Sequence, residues 1–157
     1  MRKSVITPAP PEVSRDDGGW LDLERLARVE VSSEDESHPV EAALVAGAWT
    51  GWRAAASGEQ TLRLLFDEPQ RLRRISLLFL EEERSRTQEF VLRWSPDGGQ
   101  TFREVVRQQY NFGPAGATRE AEDYDVALDG VTALELVITP DVSGGPARAS
   151  LEWLRLA

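Results

Sequence analysis

Two segments of the sequence combine side chains that could bind a small polar molecule. The first, Glu81–Glu89, is dense in charge. Its arginines offer planar forks of donors, and its Glu and Gln side chains accept hydrogen bonds from hydroxyl groups. The second is Arg107–Pro114, in which Tyr110 and Phe112 flank Asn111 and could stack on a sugar or a peptide side chain. Each segment also has a structural explanation, as solvated ion pairs or as a ring that closes the end of the core.

No catalytic set can be assembled from the sequence. There is no cysteine and one histidine, His38, which we expect to be an exposed bystander in a polar loop. The metalloprotease, nucleophile-elbow and phosphate-loop motifs are missing, and the many carboxylates fall on separate loops. The sequence therefore predicts a protein that is not an enzyme and that uses no cofactor and no metal.

Composition narrows the choice of partners. The chain has 157 residues, enough for one domain, and 41% of them are hydrophobic. Asp plus Glu is 27 against 18 for Lys plus Arg, which gives a formal charge of −9. Such an excess repels phosphate backbones and anionic lipid, so we expect neither a nucleic-acid nor a membrane partner. The absence of cysteine and of any apolar run near 18 residues fits a soluble, cytoplasmic protein.

A β-hairpin is the clearest structural signal. In Gln88–Trp94 a period-two pattern places Phe90, Leu92 and Trp94 on one side and Glu89 and Arg93 on the other. Thr101–Val106 resumes a strand-like pattern. Between them, Ser95–Gln100 contains Pro-Asp-Gly-Gly, in which proline presets φ and glycine adopts positive φ without steric cost. Antiparallel pairing of these strands would bring the two polar segments together at the open end of the hairpin.

The rest of the chain indicates an all-β fold. Short alternating segments are separated by turn signals such as Asp67–Pro69, and only Pro39–Val45 has the pattern of a helical turn. We therefore predict an antiparallel β-sandwich of the jelly-roll type at residues 19–157, preceded by a flexible tail at residues 1–18. The predicted strands are Ala27–Val31, Leu62–Phe66, Ile75–Leu80, Tyr124–Leu128, Leu134–Ile138 and Ala149–Leu156, the last with a change of apolar phase.

The open end of the hairpin is the predicted ligand site. It combines charged and amide groups that orient a ligand with rings that stack on it. The alternative is structural, with the charged residues bonding one segment to the other. The predicted ligand-binding residues are Arg86, Gln88, Glu89, Tyr110, Asn111 and Phe112, together with Trp49, which we expect to be the more exposed of the two tryptophans that flank Thr50-Gly51.

Three motifs resemble discoidin domains, the coagulation factor V/VIII type C family within the galactose-binding-domain-like jelly rolls. Gln60–Ile75 resembles the strand–turn–strand of the family, Thr50-Gly51-Trp52 its Thr-x-Trp, and Ser95-Pro96-Asp97-Gly98 its Ser-x-Asp-Gly turn. The resemblance covers roughly residues 20–157. It implies a core position for Trp52 and a module that binds sugars, phospholipid head groups or proteins through loops at one end, usually without catalysis.

The resemblance also bears on calcium. Many members of the family hold a structural calcium ion near an Asp-Gly that precedes Thr-x-Trp, whereas this sequence has Ala46-Gly47 there. A carboxylate ligand is therefore missing, and we expect no calcium requirement. The leading hypothesis is a non-catalytic module that binds a carbohydrate or another small polar ligand. The alternative is an intracellular protein–protein interaction domain of the same fold.

Overall fold

The computed structural model describes residues 19–45, 47 and 50–157, so the predicted tail at 1–18 and Trp49 lie outside the described residues. Its helices are single turns, α1 (Leu23–Leu26) and α2 (Glu41–Leu44), and α2 confirms the helical turn predicted there. The strands are β1 (Ala27–Val31), β2 (Trp52–Ser57), β3 (Gln60–Leu80), β4 (Arg86–Ser95), β5 (Arg103–Phe112), β6 (Arg119–Thr139), β7 (Arg148–Leu151) and β8 (Trp153–Leu156).

The fold is built on a long antiparallel ribbon of β3 and β6. The pairing runs from Gln60 opposite Ile138 to Leu80 opposite Arg119. The predicted turn at Asp67–Pro69 was wrong, because β3 passes through these residues without ending. The register is irregular in this stretch, and such bulges bend a strand and increase its twist without ending the pairing.

The two halves of the ribbon have different neighbours. Near Leu62, β3 lies between β1 and β6, and β4 and β5 follow beyond β6. Near Leu77, β3 lies between β6 and β8, while β2 and β7 form a separate two-stranded sheet. Every pairing among the described strands is antiparallel. The predicted antiparallel β-sandwich is confirmed.

The core is filled by alternate residues of these strands, as the period-two pattern predicts. Leu62 and Leu64 from one half of β3, Leu77 and Phe79 from the other, and Phe90 from β4 are all essentially inaccessible to solvent. Each buried side chain of this kind stabilises the fold by roughly 1.5–3 kcal/mol. Trp52 is 1% exposed, which confirms its predicted place in the core.

The predicted hairpin is confirmed in β4 and β5, which pair with Phe90 opposite Gln108. Its turn is held by Ser95, whose Oγ accepts hydrogen bonds from the amides of Asp97 at 3.2 Å and Gly99 at 2.9 Å. The second strand is longer than predicted and continues to Phe112. Much of the expected second loop is therefore strand.

The change of apolar phase near the C-terminus marks a change of partner. The chain leaves β7, which pairs with β2 through Leu151 and Trp52, and enters β8, which pairs with β3 through Leu154 and Leu77. Glu152 lies at the junction, and its amide donates to the carbonyl of Leu78 at 2.8 Å. This junction brings Glu152 to the end of the molecule where β3 finishes.

Candidate ligand-binding cavity

The structure brings the two predicted polar segments together at the open end of the hairpin. In the β4–β5 register, Arg86 lies opposite Phe112, Thr87 opposite Asn111, and Gln88 opposite Tyr110. The register does not decide which of these side chains can reach a ligand. That depends on burial and on existing hydrogen bonds.

Arg86 is the centre of a buried network, and 1% of its side chain is exposed. Its Nε donates to Glu81 Oε1 at 2.7 Å, and its Nη1 donates to the Pro140 carbonyl at 2.7 Å and to Gln88 Oε1 at 3.1 Å. The guanidinium carbon lies 4.7 Å from the centre of the Phe112 ring, which is itself buried. A ligand could reach Arg86, Gln88 or Phe112 only by displacing these contacts. Burial therefore favours the structural alternative for these three predicted residues.

The network ends at Glu120, which is 1% exposed. Gln88, wholly buried, donates from Nε2 to Glu120 Oε1 at 3.0 Å. Burial raises the pKa of Glu120 to about 8, and the neighbouring Glu122 carboxylate adds to the shift. Burial and the same carboxylate also raise the pKa of Tyr124. Glu120 therefore holds a proton near neutral pH.

Glu89 lies outside this network on the surface of the hairpin. Its carboxylate accepts from Arg107 Nη1 at 2.6 Å and from Gln109 Nε2 at 2.9 Å. Hydrogen bonds from Gln109 and Arg107 hold the pKa of Glu89 below its ordinary value. Its contact with a ligand stays a prediction, and a ligand there would compete with both partners.

Tyr110 and Asn111 retain partial or full exposure. The Tyr110 hydroxyl donates to the Arg119 carbonyl at 2.8 Å, which fixes the ring against the start of β6. The Asn111 side chain accepts from Thr87 Oγ1 at 2.7 Å and remains open to solvent. Their role in binding also stays a prediction.

A polar cavity of about 190 Å³ opens beside this network. Its walls come from the end of β3 and the segment after it, the start of β2, and the β7–β8 junction. Glu81 belongs to both structures, since it lines the cavity and accepts the ion pair from Arg86. The lining residues are His38, Thr50, Gly51, Trp52, Arg53, Leu80, Glu81, Glu82, Glu83, Ser150 and Glu152.

Glycine is required at position 51 of this wall. Gly51 has a φ of +87°, in the left-handed region that side chains disfavour. A Cβ there would stand 2.9 Å from Glu152 Oε1 and 3.4 Å from the Leu151 carbonyl oxygen. Next to it, Trp52 Nε1 donates to the Ser33 carbonyl at 3.0 Å. The close approach of the two chain segments fixes the floor of the polar cavity.

Several polar groups of the cavity are available to a ligand. In the part of the chain that the structure describes, the side chains of Arg53, Glu82 and Glu152 form no ion pair and no hydrogen bond. The His38 ring has one weak contact, 3.4 Å from Nδ1 to Ser37 Oγ. The cavity thus offers a guanidinium donor and carboxylate acceptors at solvent-accessible positions, which is the chemistry that binds hydroxyl groups.

Most of this cavity was missed by sequence reasoning. His38 is half-buried in its wall, which corrects the expectation of an exposed bystander. No sequence motif pointed to Arg53, Ser150 or Glu152, because each is an isolated polar residue within its own segment. Thr50-Gly51-Trp52 was recognised only as a family motif with a core position for Trp52, whereas all three of its residues also line the cavity.

No group of three or more His, Cys, Asp or Glu residues that could hold a metal ion is found in the described ranges. Ala46, on which the expectation about calcium depends, lies outside them. Within the same ranges, no helix is long and apolar enough to cross a membrane.

The sequence matches no family model and no curated protein. The fold, in contrast, is similar to solved carbohydrate-binding modules of family 32. One is the third such module of a family 31 glycoside hydrolase from Clostridium perfringens, with a TM-score of 0.65 and 19% identity over 89% of this chain and 95% of that chain. Another is the family 32 module of NanJ from C. perfringens in complex with galactose, with a TM-score of 0.63 and 13% identity over 87% and 96%.

A third is the family 32 module of AlyQ in complex with 4,5-unsaturated mannuronic acid, with a TM-score of 0.59 and 19% identity over 84% and 95%. At these identities the similarity establishes the fold, a galactose-binding-domain-like β-sandwich. The resemblance to discoidin domains is confirmed at this wider level, and the particular family stays a prediction.

Proposed function

We propose that this protein is a non-catalytic carbohydrate-binding module and that its ligand site is the polar cavity. The observation that carries the proposal is the set of unengaged polar side chains, Arg53, Glu82 and Glu152, around a cavity at one end of the sandwich. A ligand gains most from groups that do not first have to break internal hydrogen bonds. The solved modules of the same fold bind sugars, which supports the same ligand class here.

The size of the cavity suits one sugar ring. A volume of about 190 Å³ is below the roughly 300–1,000 Å³ of pockets for drug-sized molecules. The site would therefore hold a monosaccharide or the terminal residue of a glycan. Carboxylates accept from sugar hydroxyls, and Arg53 donates to a hydroxyl or ring oxygen.

The charge of the walls favours a neutral sugar over a uronic acid. The cavity is lined by four glutamates and one arginine, namely Glu81, Glu82, Glu83, Glu152 and Arg53. Glu81 is already neutralised by Arg86. Each remaining carboxylate near 4 Å would repel a bound anion by about 1 kcal/mol or more. We expect a uronate to bind at least about tenfold more weakly than the corresponding neutral sugar.

Binding without catalysis fits the same residues. A glycosidase needs two carboxyl groups on opposite sides of the scissile bond, one of which carries a raised pKa. The described carboxyl group with a markedly raised pKa is Glu120, which is buried in the network and does not line the polar cavity. Glu120 therefore cannot act as the acid at this cavity, whose unengaged side chains are suited to recognition.

Isothermal titration calorimetry with methyl galactoside, N-acetylgalactosamine and galacturonate tests the proposal. We expect saturable binding of a neutral sugar and a loss of at least about tenfold in affinity for Arg53→Ala and for Glu152→Ala. Arg71→Ala is the matched control, since Arg71 pairs with Asp129 on the surface far along β3. No binding of a wider panel of neutral sugars at millimolar concentration, or equal affinities for Arg53→Ala and wild type, would refute the proposal.

A further inference from the structure

The polar cavity shares one wall with the buried network, and Glu81 is the shared residue. Its Oε1 accepts from Arg86 Nε at 2.7 Å. Its Oε2 accepts from the backbone amides of Glu83 at 3.0 Å and Arg84 at 3.3 Å. Both carboxylate oxygens of Glu81 therefore accept hydrogen bonds, one from the buried Arg86 side chain and the other from backbone amides of the loop. The position of the Glu81 carboxylate therefore sets the course of the segment Glu81–Arg84.

Arg86 in turn has little freedom. Its Nη1 is held by the Pro140 carbonyl at 2.7 Å and by Gln88 Oε1 at 3.1 Å, and its guanidinium lies over the Phe112 ring. The Gln88 side chain is itself oriented by Glu120, whose Oε1 accepts a hydrogen bond from Gln88 Nε2 at 3.0 Å. Contacts from two strands, β4 and β5, and from the segments that follow β3 and β6 thus fix a single guanidinium in one place.

We propose that Arg86, oriented by Gln88, is a positioning residue for the polar cavity. It fixes the Glu81 carboxylate and, through it, the wall formed by Glu81–Glu83, without contacting the ligand. This inference rests on the proposed function of the cavity. It also gives the two buried residues a role in binding that differs from the direct ligand contact predicted from the sequence.

The chemistry of the arrangement requires arginine. A planar guanidinium presents separate donors to Glu81, Gln88 and Pro140 while its face covers an aromatic ring. A lysine ammonium is a single point charge and cannot occupy these positions together. Arg86→Lys therefore keeps the positive charge and removes the planar set of donors that bonds Glu81, Gln88 and Pro140 together.

Amide hydrogen exchange followed by NMR, on the full chain carrying Arg86→Lys, tests the proposal without any ligand. We expect exchange at Glu83 and Arg84 to accelerate at least about tenfold. The amides of Gln100 and Thr101, which donate to Asp97 in the turn at the other end of the hairpin, are internal controls and should keep their wild-type rates. Affinity for the neutral sugar, measured on the same sample, should fall at least about fivefold.

Arg107→Lys is the matched control variant, since Arg107 is an exposed arginine of β5 whose partners, Glu89 and Glu104, are outside the network. It should leave both readouts unchanged. Should Arg86→Lys not fold, Gln88→Leu removes one support of the guanidinium, and exchange at Glu83 and Arg84 should then accelerate at least about threefold.

Unchanged exchange at Glu83 and Arg84 would overturn the positioning role, and so would equal acceleration at both ends of the hairpin, which signals general destabilisation. Equal sugar affinities of Arg86→Lys and wild type would overturn it as well. A wild-type protein that binds no sugar would refute the proposed function alone, because the exchange measurement still decides whether Arg86 orders the wall.

Discussion

The buried carboxyl of Glu120 should make this fold less stable as the pH rises through neutrality. Its pKa is raised by burial, and further by Glu122, from an ordinary 4.5 to about 8. Folding therefore favours the protonated form. The stabilising contribution is complete below about pH 4.5 and is lost as the pH rises toward and through 8.

The size of this change in stability follows from the size of the pKa shift of Glu120. Each pKa unit corresponds to roughly 1.4 kcal/mol, so a shift of this size would contribute up to about 5 kcal/mol between these limits. Relaxation of the protein and entry of water around a buried carboxylate reduce the cost of its ionisation, so we expect about 2–4 kcal/mol. That is a large share of the stability of a single domain.

Glu120→Gln isolates this contribution, because the amide is neutral at every pH and its oxygen still accepts from Gln88. Urea unfolding followed by tryptophan fluorescence at pH 5–9 measures it. Near pH 5 the variant and the wild type should have similar free energies of unfolding. At pH 8 the variant should be the more stable by about 2–4 kcal/mol. Glu59→Gln, at an exposed position, controls for the loss of one charge. Parallel profiles of the wild type and Glu120→Gln across this range would refute the reasoning.

Two further substitutions test other parts of the structure. Gly51→Ala should lower the free energy of unfolding by about 1–3 kcal/mol in urea titrations, because φ is +87° and the new Cβ would meet Glu152. Wild-type stability of that variant would contradict the required conformation. Hydrogen bonds from Ser95 and Thr101 lower the pKa of Asp97 to about 2, so its contribution is present above about pH 4 and is lost as the pH falls through 2. By calorimetry, the melting temperature of Asp97→Asn should lie below that of the wild type at pH 6 and equal it near pH 2. A difference in melting temperature that does not change with pH would contradict the proposed role of these hydrogen bonds.

Local features of the fold could be predicted from the sequence because their causes are local. The alternation in β4 and the Pro-Asp-Gly-Gly turn lie within a few residues of each other, and they specify the hairpin directly. The bend of β3 at Asp67–Pro69 could not be distinguished from a turn. Proline lacks an amide donor, yet it stands where the register with β6 is irregular, so no ladder hydrogen bond is lost.

The candidate site was only partly predictable, because its residues meet through distant pairings. His38, Arg53, Glu81 and Glu152 come from four separate segments. Their meeting depends on the pairing of β2 with β7 and on the change of partner between β7 and β8. The residue pattern within one segment does not show which distant segments will lie beside it in the fold. The burial of Arg86 likewise depends on a carbonyl more than fifty positions along the chain.

Mapping the bound sugar by NMR tests the central claim most directly. Chemical-shift changes of the backbone amides, recorded at saturation with the neutral sugar, report where the ligand lies. The account predicts the largest changes at Arg53, Glu82 and Glu152 around the polar cavity. The largest changes at Glu89 and Asn111, on the exposed part of the hairpin's open end, would contradict it and would place the ligand at the surface predicted from the sequence.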